Sequence, residues 1–193
     1  MRALHQTSQA VSYSPGTGCV LGRPHVLGIG PVPAQVMVIG QAPNDASIQA
    51  KRPWVGTSGN TLGQWLRRLD LNEAEVYLTN AVKCPAHHKY PGQADQISYN
   101  QKKACYQWLK DEIEVVRPKV VVLLGSSATQ MFFKDDSMTV SKFRAQFGWS
   151  HKVEGTVYFP LRHPSYEARN PDMFKSIVEE WAKLDDLLKL CRA

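Results

Sequence analysis

The chain has 193 residues, 43% of them hydrophobic, which is enough for one substantial core but short for two comfortable domains. It carries 23 Lys and Arg against 17 Asp and Glu, a formal charge of +6 and a pI near 9.2, a modest bias toward polyanionic partners. No apolar run reaches the ~20 residues that span a bilayer, and the N-terminus lacks the apolar core of a signal peptide. We therefore expect a soluble, cytoplasmic protein with a single domain over 1–193.

The first part of the chain predicts an arm followed by a strand, a helix and a second strand. Residues 1–34 are rich in Ser, Gly and Pro and show no sustained periodicity, so they predict an extended arm wrapped over the domain. The β-branched run at 35–39 predicts a buried strand. Residues 58–69 place Leu and Trp side chains at helical spacing, and 76–79 predicts the second strand.

The middle of the chain predicts a loop, a helix, a strand and a short helix. A polar loop over 83–99 precedes a helix over 100–116, which has apolar residues on one face. The run 119–125, KVVVLLG, is the clearest fully buried strand in the chain. Ser126 is expected to cap the short helix that ends near Phe133.

The last part of the chain completes the alternation of strands and helices. Residues 134–155 predict a long mixed loop with room for a hairpin, and 156–161 predicts a fourth strand. An amphipathic stripe from Phe174 to Leu188 predicts a long helix. This alternation predicts an α/β fold, a three-layer αβα sandwich with a central four-stranded parallel sheet and function at the carboxyl ends of the strands.

Three of the predicted strands lead into polar or turn-forming segments. The first runs into GQAPN at 40–44 and then PWVG at 53–56, the second ends in Thr79-Asn80, and the fourth runs into RHPS at 162–165. Because the carboxyl ends of parallel strands meet at one edge of a sheet, these segments are expected to converge on one crevice. An active site at that crevice is the simplest interpretation.

Five motifs occur in a fixed order along the chain. They are GQAPN at 40–44, PWVG at 53–56, LTNAVKC at 78–84, PKVVVLLG at 118–125 and RHPSYEARNP at 162–171. Together they resemble the uracil-DNA glycosylase superfamily, nearest its family 4, over roughly residues 19 to 191. The resemblance implies a monomeric, monofunctional DNA glycosylase that flips a base out of DNA and hydrolyses its N-glycosidic bond, leaving an abasic site.

The resemblance assigns a base-binding and a leaving-group role. Trp54 stands where these enzymes carry a Phe that stacks on the flipped base, and Asn80 takes the place of the Asn that reads the base edge. Gln41 and Ala42, in the turn after the first strand, complete the predicted base contacts, and Gln41 is also a candidate catalytic residue. His163 matches the His that stabilises negative charge on the departing base. The alternatives without a functional role are an Asn that caps a loop for Asn80 and a surface His for His163.

The first motif departs from the family pattern GEAPG. Gln41 replaces the Glu and Asn44 replaces the final Gly, so the carboxylate expected beside the cationic sugar is missing. Asp45 is the leading candidate to supply that charge, with Asn44 orienting the water, because a full charge stabilises an oxocarbenium-like sugar better than a dipole does. An ordinary turn is the alternative for both residues.

The altered turn, Trp54 and the lengthened loop 86–100 leave the identity of the base open. One version of the resemblance predicts repair of uracil that arises from cytosine deamination. A second predicts anti-phage defence, in which a hypermodified base such as glucosylated hydroxymethylcytosine is excised from phage DNA. A non-catalytic binder of damaged DNA is a further alternative. A nucleotide-hydrolysing domain is disfavoured, since no phosphate-loop motif follows a predicted strand.

DNA contacts are expected from the segments around the crevice. The candidates are Ser58, Lys83, Ser126, Arg162, Ser165, Tyr166 and Arg169. Tyr166 offers a flat face to wedge into the gap left by the flipped nucleotide, and Arg169 offers a charged fork for phosphate. Ser58 and Ser126 lie at helix starts, where amide groups bind phosphate. Exposed loop residues are the alternative for Tyr166 and Arg169.

Family 4 enzymes hold an iron-sulfur cluster on four cysteines. Cys19, Cys84 and Cys105 match three of those positions, and the fourth cysteine is missing here. Three other side chains are candidates for the fourth ligand: His25, His87 and Cys191. The resemblance thus implies a structural [4Fe-4S] cluster that hydrolysis does not require, whereas buried, inert thiols are the alternative.

Overall fold

A computed structural model describes residues 24–72, 74–86 and 97–192. Its five strands are β1 (Val36–Gly40), β2 (Val76–Asn80), β3 (Val120–Leu124), β4 (His151–Val153) and β5 (Thr156–Leu161). Seven α-helices are described: α1 (Asp45–Ala50), α2 (Thr57–Arg68), α3 (Tyr99–Val116), α4 (Ser126–Phe133), α5 (Val140–Phe147), α6 (Pro164–Arg169) and α7 (Phe174–Arg192). A single 3-10 turn, Pro171–Met173, joins α6 to α7.

The strands form one sheet in the order β2-β1-β3-β5-β4. The first four are parallel neighbours, and the register pairs Gly40 with Asn80 and Leu124 with Leu161. Their carboxyl ends therefore lie at one edge. The chain leaves β1 toward β2 on one side and later adds β3 on the other, so a topological switch point, where ligands bind in such sheets, lies between β1 and β3.

The expected four-stranded parallel sheet is confirmed as the centre of the fold, but the sheet has a fifth strand. β4 pairs antiparallel with β5 at the edge, with Val153 opposite Thr156. The connecting residues Glu154 and Gly155 both have positive φ, 48° and 91°. That backbone is typical of a two-residue hairpin turn, which explains why the segment predicted as a mixed loop folds back on β5.

The same segment contains a helix that the sequence analysis left out. The Thr139 side chain accepts a hydrogen bond from the Lys142 amide at 3.1 Å and caps α5. The predicted cap of α4 also differs, because Gly125, with φ of 88°, occupies the N-cap position and Ser126 is the first helical residue. A glycine is favoured there, since φ lies in the left-handed region.

Helices cover both faces of the sheet. Along β1, Val36 and Val38 pack in the same cluster as residues of α2 and α7, whereas Met37 and Ile39 pack with residues of α3 and α4. This alternation is the period of two expected for a strand with helices on both sides. The predicted three-layer αβα sandwich is confirmed.

The described part of the N-terminal arm runs along the outer edge of β2. Ile29 and Leu78 form an antiparallel bridge, and the Val26 amide donates to the Lys83 carbonyl at 2.8 Å. Residues 1–23 lie outside the described residues. Within the described ranges, no helix is both long and apolar enough to cross a membrane.

Substitution of Gly30 tests how tightly the arm packs against β2, and Gly155, in the turn between β4 and β5, is its control. Gly30 and Gly155 have φ of +144° and +91°, but a Cβ at Gly30 would lie 2.5 Å from the backbone of Tyr77, whereas one at Gly155 would meet nothing within 4 Å. We expect Gly155→Ala to lower the free energy of unfolding by about 1 kcal/mol through strain alone. Gly30→Ala should lower it by about 3 kcal/mol, because the arm must also move. Urea unfolding followed by tryptophan fluorescence compares the two, and equal losses would contradict a tightly packed arm.

Candidate active site

A cavity of about 870 Å³ opens at the carboxyl ends of β1, β2, β3 and β5. Most of the residues predicted from the sequence line it: Gln41, Ala42, Asn44, Trp54, Ser58, Asn80, Ser126, Arg162, His163, Ser165, Tyr166 and Arg169. They come from four separate segments of the chain. The aligned strand ends bring these segments together, as the parallel sheet predicts.

Trp54 is fixed in an unusual backbone conformation. Its φ is 61°, in the left-handed region, and its indole N–H donates to the Thr79 carbonyl at 3.1 Å. Two glycines make room for it. A Cβ at Gly40 would lie 2.5 Å from the indole and 2.6 Å from Asn80 Oδ1, and one at Gly59 would lie 1.8 Å from the Trp54 carbonyl oxygen. The indole and the Asn80 carboxamide therefore meet above the end of β1.

The rings of Trp54 and His163 are stacked, nearly parallel and displaced sideways from each other. Their centroids are 5.5 Å apart and their planes differ by 20°. Because stacked rings touch at about 3.5 Å between planes, this centroid distance corresponds to a sideways offset of about 4 Å. The imidazole thus covers one side of the indole. A base stacked on the remainder would lie level with the imidazole, which would approach it edge-on.

His163 is a neutral hydrogen-bond donor. Its Nδ1 accepts the Ser165 amide at 3.2 Å and lies 2.9 Å from the Ser165 hydroxyl, so the ring proton is on Nε2. Burial, with a smaller contribution from the nearby Arg169 guanidinium, lowers the pKa of His163 to about 4. Pro164 at the first position of α6 and His163 at its cap hold this geometry.

A buried carboxylate holds the segment that carries His163. Glu180, 2% exposed, accepts from the Arg162 guanidinium at 2.7 Å and from the Arg144 guanidinium at 2.8 Å. It also accepts the Arg162 backbone amide at 3.3 Å. Arg162 lies over the Tyr166 ring, 5.4 Å from its centroid. The predicted DNA contact Arg162 is therefore also part of an internal ion network that joins β5, α5 and α7.

Two predicted site residues are placed elsewhere. Lys83, expected to contact phosphate, is 1% exposed and pairs with Glu112 at 2.6 Å behind the end of β2, where a phosphate cannot reach it. Asp45 is exposed in the first turn of α1 and does not line the cavity. Asn44 does line it, but its amide accepts from Ser47 N at 2.8 Å and donates to the Val55 carbonyl at 3.0 Å. That side chain ties the two loops together.

The described lining of the cavity favours anionic ligands. It contains two arginines, Arg162 and Arg169, and no carboxylate. The helices α2 and α4 begin at the cavity with glycine N-caps that make no side-chain cap, so their first amides are available to a ligand. Both helix dipoles add positive potential there. Ser58 and Ser126 occupy these two helix starts, as predicted.

One wall of the cavity was missed in the sequence. Ser127, Thr139, Val140 and Ser141 line it, and the last three form the start of α5. A signal was present, because a Thr precedes apolar residues at Val140, Phe143 and Phe147, the spacing of a capped helix. The hydroxyl groups of this wall add polar groups to the cavity.

Two of the predicted cluster cysteines lie near one another. Cys84 and Cys105 are buried, and Gln101, one helical turn before Cys105, donates to Cys84 Sγ at 3.3 Å. His25 lies beside Trp108, the next turn of α3, with ring centroids 6.1 Å apart. Within the described residues, no three His, Cys, Asp or Glu side chains form a metal-binding group. Cys19 and His87 lie outside those residues.

Cys191 cannot join Cys84 as a ligand. It lines a second cavity with Val36 and Val120, the first residues of β1 and β3, at the amino end of the sheet. Cys84 follows the carboxyl end of β2. A five-residue strand spans about 16 Å, which is far more than one cluster bridges. The prediction of Cys191 as a fourth ligand is wrong for this geometric reason.

An α/β sandwich that gathers an indole, a carboxamide and an imidazole donor in a cationic cavity is suited to an enzyme that binds an extruded nucleobase. The family model of the uracil DNA glycosylase superfamily matches residues 27–185, and the chain belongs to that superfamily. It is therefore a DNA N-glycosylase, and its partner is DNA. This confirms the family that the motifs indicate.

Similar proteins include three type-4 uracil-DNA glycosylases. The protein from Sulfurisphaera tokodaii is 30% identical over 80% of this chain and 70% of its own length. The one from Thermotoga maritima is 29% identical over 85% of this chain and 83% of its own. The one from Saccharolobus solfataricus is 30% identical over 84% and 76%, respectively.

The low pKa of His163 predicts a pH dependence of stability. The unfolded chain binds the His163 proton near pH 6.5 and the folded chain near pH 4, so stability falls as the pH drops through this window. We expect the wild type to lose about 3 kcal/mol more than His163→Gln between pH 7 and pH 4. Urea unfolding of both proteins at several pH values measures the difference. Parallel curves would show that His163 is charged in the folded protein at mildly acidic pH.

Proposed function

We propose that this enzyme flips uracil out of DNA and hydrolyses its N-glycosidic bond without a lyase step. The observation that carries the proposal is the offset pair of Trp54 and His163, 5.5 Å apart at 20°, with Asn80 beside the indole. This arrangement leaves one part of the indole for a base to stack on and aligns a donor with that base's edge. The type-4 relatives named above support uracil as the base.

Each of the three side chains has a separate task in the proposal. The Trp54 indole stacks on the flipped base, and its hydrogen bond to Thr79 keeps the stacking surface fixed. The Asn80 carboxamide, 4% exposed at the end of β2, donates to and accepts from the base edge. Nε2–H of His163 donates to the base carbonyl as negative charge develops there, and the Ser165 amide at Nδ1 keeps the ring oriented for this.

The cavity has fewer groups to stabilise the positive charge on the sugar than to stabilise the leaving base. The described lining of the cavity contains no carboxylate, and Asp45 lies outside it. Gln41 lines the cavity at the position after β1, so its side-chain amide orients the attacking water. The flanking DNA phosphates supply negative charge near the sugar. Placement thus favours Gln41, whereas the sequence made Asp45 the leading candidate.

The DNA strand enters over the helix starts. The first amides of α2 and α4, at Ser58 and Ser126, hold phosphates on either side of the flipped nucleotide. Arg169, exposed at the rim, contacts a further phosphate, and Tyr166 fills the space in the helix stack. These contacts set affinity and position rather than base choice.

A structural iron-sulfur cluster is part of the proposal. Cys84 and Cys105 would hold it together with Cys19, because both are buried beside the point where the arm reaches the domain at Val26. Such a cluster would join the arm to α3. It takes no part in the hydrolysis. Iron analysis and absorbance near 400 nm of the purified protein check for it.

Base release from a panel of oligonucleotides tests the function. We expect alkaline strand cleavage after incubation with uracil-containing DNA, and a loss of at least about a hundredfold in His163→Ala. His151→Ala is the matched control, since His151, on β4, packs against Phe147 of α5 and does not line the cavity. Release of hypoxanthine, hydroxymethylcytosine or its glucosylated form instead of uracil would reassign the substrate, and the last result would favour the anti-phage role. Binding without release of any base would show a non-catalytic damage binder.

A second comparison tests which residue assists the water. We expect Asp45→Asn to keep the rate of base release within about twofold, because the exposed carboxylate is outside the cavity and screened by solvent. Gln41→Ala should lower the rate about tenfold or more. Single-turnover measurements with excess enzyme separate this step from product release. A large loss in Asp45→Asn alone would restore the ranking made from the sequence.

A further inference from the structure

Behind the base-reading end of β2 lies a buried ion pair that the reaction does not use. Lys83 and Glu112 are 1% and 3% exposed, and Lys83 Nζ lies 2.6 Å from Glu112 Oε2. Removing two charges from water is unfavourable, and apolar side chains of similar volume would often be at least as stabilising. Stability alone therefore does not account for the Lys83–Glu112 pair.

The Lys83 ammonium has three N–H donors, and all three are directed to specific acceptors. One goes to Glu112, one to Thr79 Oγ1 at 2.6 Å and one to the Asn80 carbonyl at 2.8 Å. Two of the three acceptors thus belong to the last two residues of β2. The backbone of Asn80 is held from behind by a charge-assisted hydrogen bond.

The Glu112 carboxylate also accepts hydrogen bonds from several buried donors. It accepts from the Tyr77 hydroxyl at 2.8 Å and from Thr79 Oγ1 at 3.1 Å, in addition to Lys83. Burial raises the pKa of Tyr77, and the adjacent Glu112 carboxylate raises it further, so the phenol stays a donor. A Cβ at Gly28 would lie 2.4 Å from Glu112 Oε1, so the arm closes the network on its outer side.

Thr79 links this network to the stacking side chain. Its hydroxyl lies between Lys83 and Glu112, while its carbonyl accepts the Trp54 indole N–H at 3.1 Å. The segment after β2 is also tied to β1, since the Ala81 amide donates to the Gly40 carbonyl at 2.8 Å. One rigid unit therefore carries both base-binding side chains.

We propose that Lys83 and Glu112 are positioning residues that fix Asn80, and through Thr79 also Trp54, at the depth and angle needed to read the flipped base. The inference rests on the proposed function, in which Asn80 contacts the base. If the ion pair only held α3 against the sheet, its loss would lower stability, and its effect on the rate would not depend on the Asn80 side chain. The two roles differ in how they combine with the loss of the Asn80 side chain.

A double-mutant cycle separates these roles. We expect Lys83→Met to lower the single-turnover rate of uracil release on the order of a hundredfold, because small misplacements of a positioned group have losses of this size. In an Asn80→Ala background, the same substitution should lower the rate less than about tenfold, since only its effect through Trp54 remains. Lys110→Met is the control, because Lys110 forms an exposed pair with Glu114 on α3. Equal losses in both backgrounds would overturn the proposal.

A milder pair of variants covers the case in which Lys83→Met does not fold. Thr79→Val removes the hydroxyl between the charges, and Thr79→Ser keeps it. We expect the Val variant to lose at least about tenfold in rate and the Ser variant to recover most of it. Equal rates for the two folded proteins would contradict the positioning role.

Failure of the proposed function gives a different result. If the wild type released no base, the cycle would be measured as the ratio of dissociation constants for uracil-containing and thymine-containing DNA. Loss of this preference in Lys83→Met but no further loss in the Asn80→Ala background would support positioning. Additive losses would overturn it.

Discussion

Parallel pairing of β1 with β2 and β3 is the constraint on which this site depends. The register sets Gly40 level with Asn80 on one side and Ile39 level with Leu123 on the other, and β5 continues the same level. Segments far apart in the chain therefore leave the sheet at one edge. The hydrogen bonds of the ladder fix this level to within a residue, because a slip by one would turn each side chain to the opposite face.

Two buried ion networks hold the two sides of the cavity. Lys83 and Glu112 lie behind the end of β2, and Glu180 with its two arginines lies behind the end of β5. Each network makes a hydrogen bond to backbone next to a functional side chain, at the Asn80 carbonyl and the Arg162 amide. Buried charges are unfavourable unless they are paired, so moving either segment away from its ion network would leave charges without partners.

The electrostatics of the cavity suit a substrate with negative phosphates and a base that leaves with negative charge. Arg169 and the helix starts provide positive potential at the rim, whereas His163 in the interior is neutral. A neutral imidazole binds an uncharged base without the desolvation penalty of a cation, and its Nε2–H still donates a hydrogen bond to the developing anion. Burial of His163 therefore leaves the interior uncharged, while the positive potential is confined to the rim.

The sequence by itself determined the sandwich and the four parallel strands, because hydrophobic periodicity and turn residues are local signals. The sequence also singled out Trp54, Asn80 and His163, through motifs that resemble those of the family. It did not determine β4, α5 or the surroundings of Lys83. Lys83 looked like a phosphate contact until Glu112, 29 positions away, was placed beside it. Only the tertiary structure decided such pairings, since burial and the partner of a charge depend on which distant elements pack together.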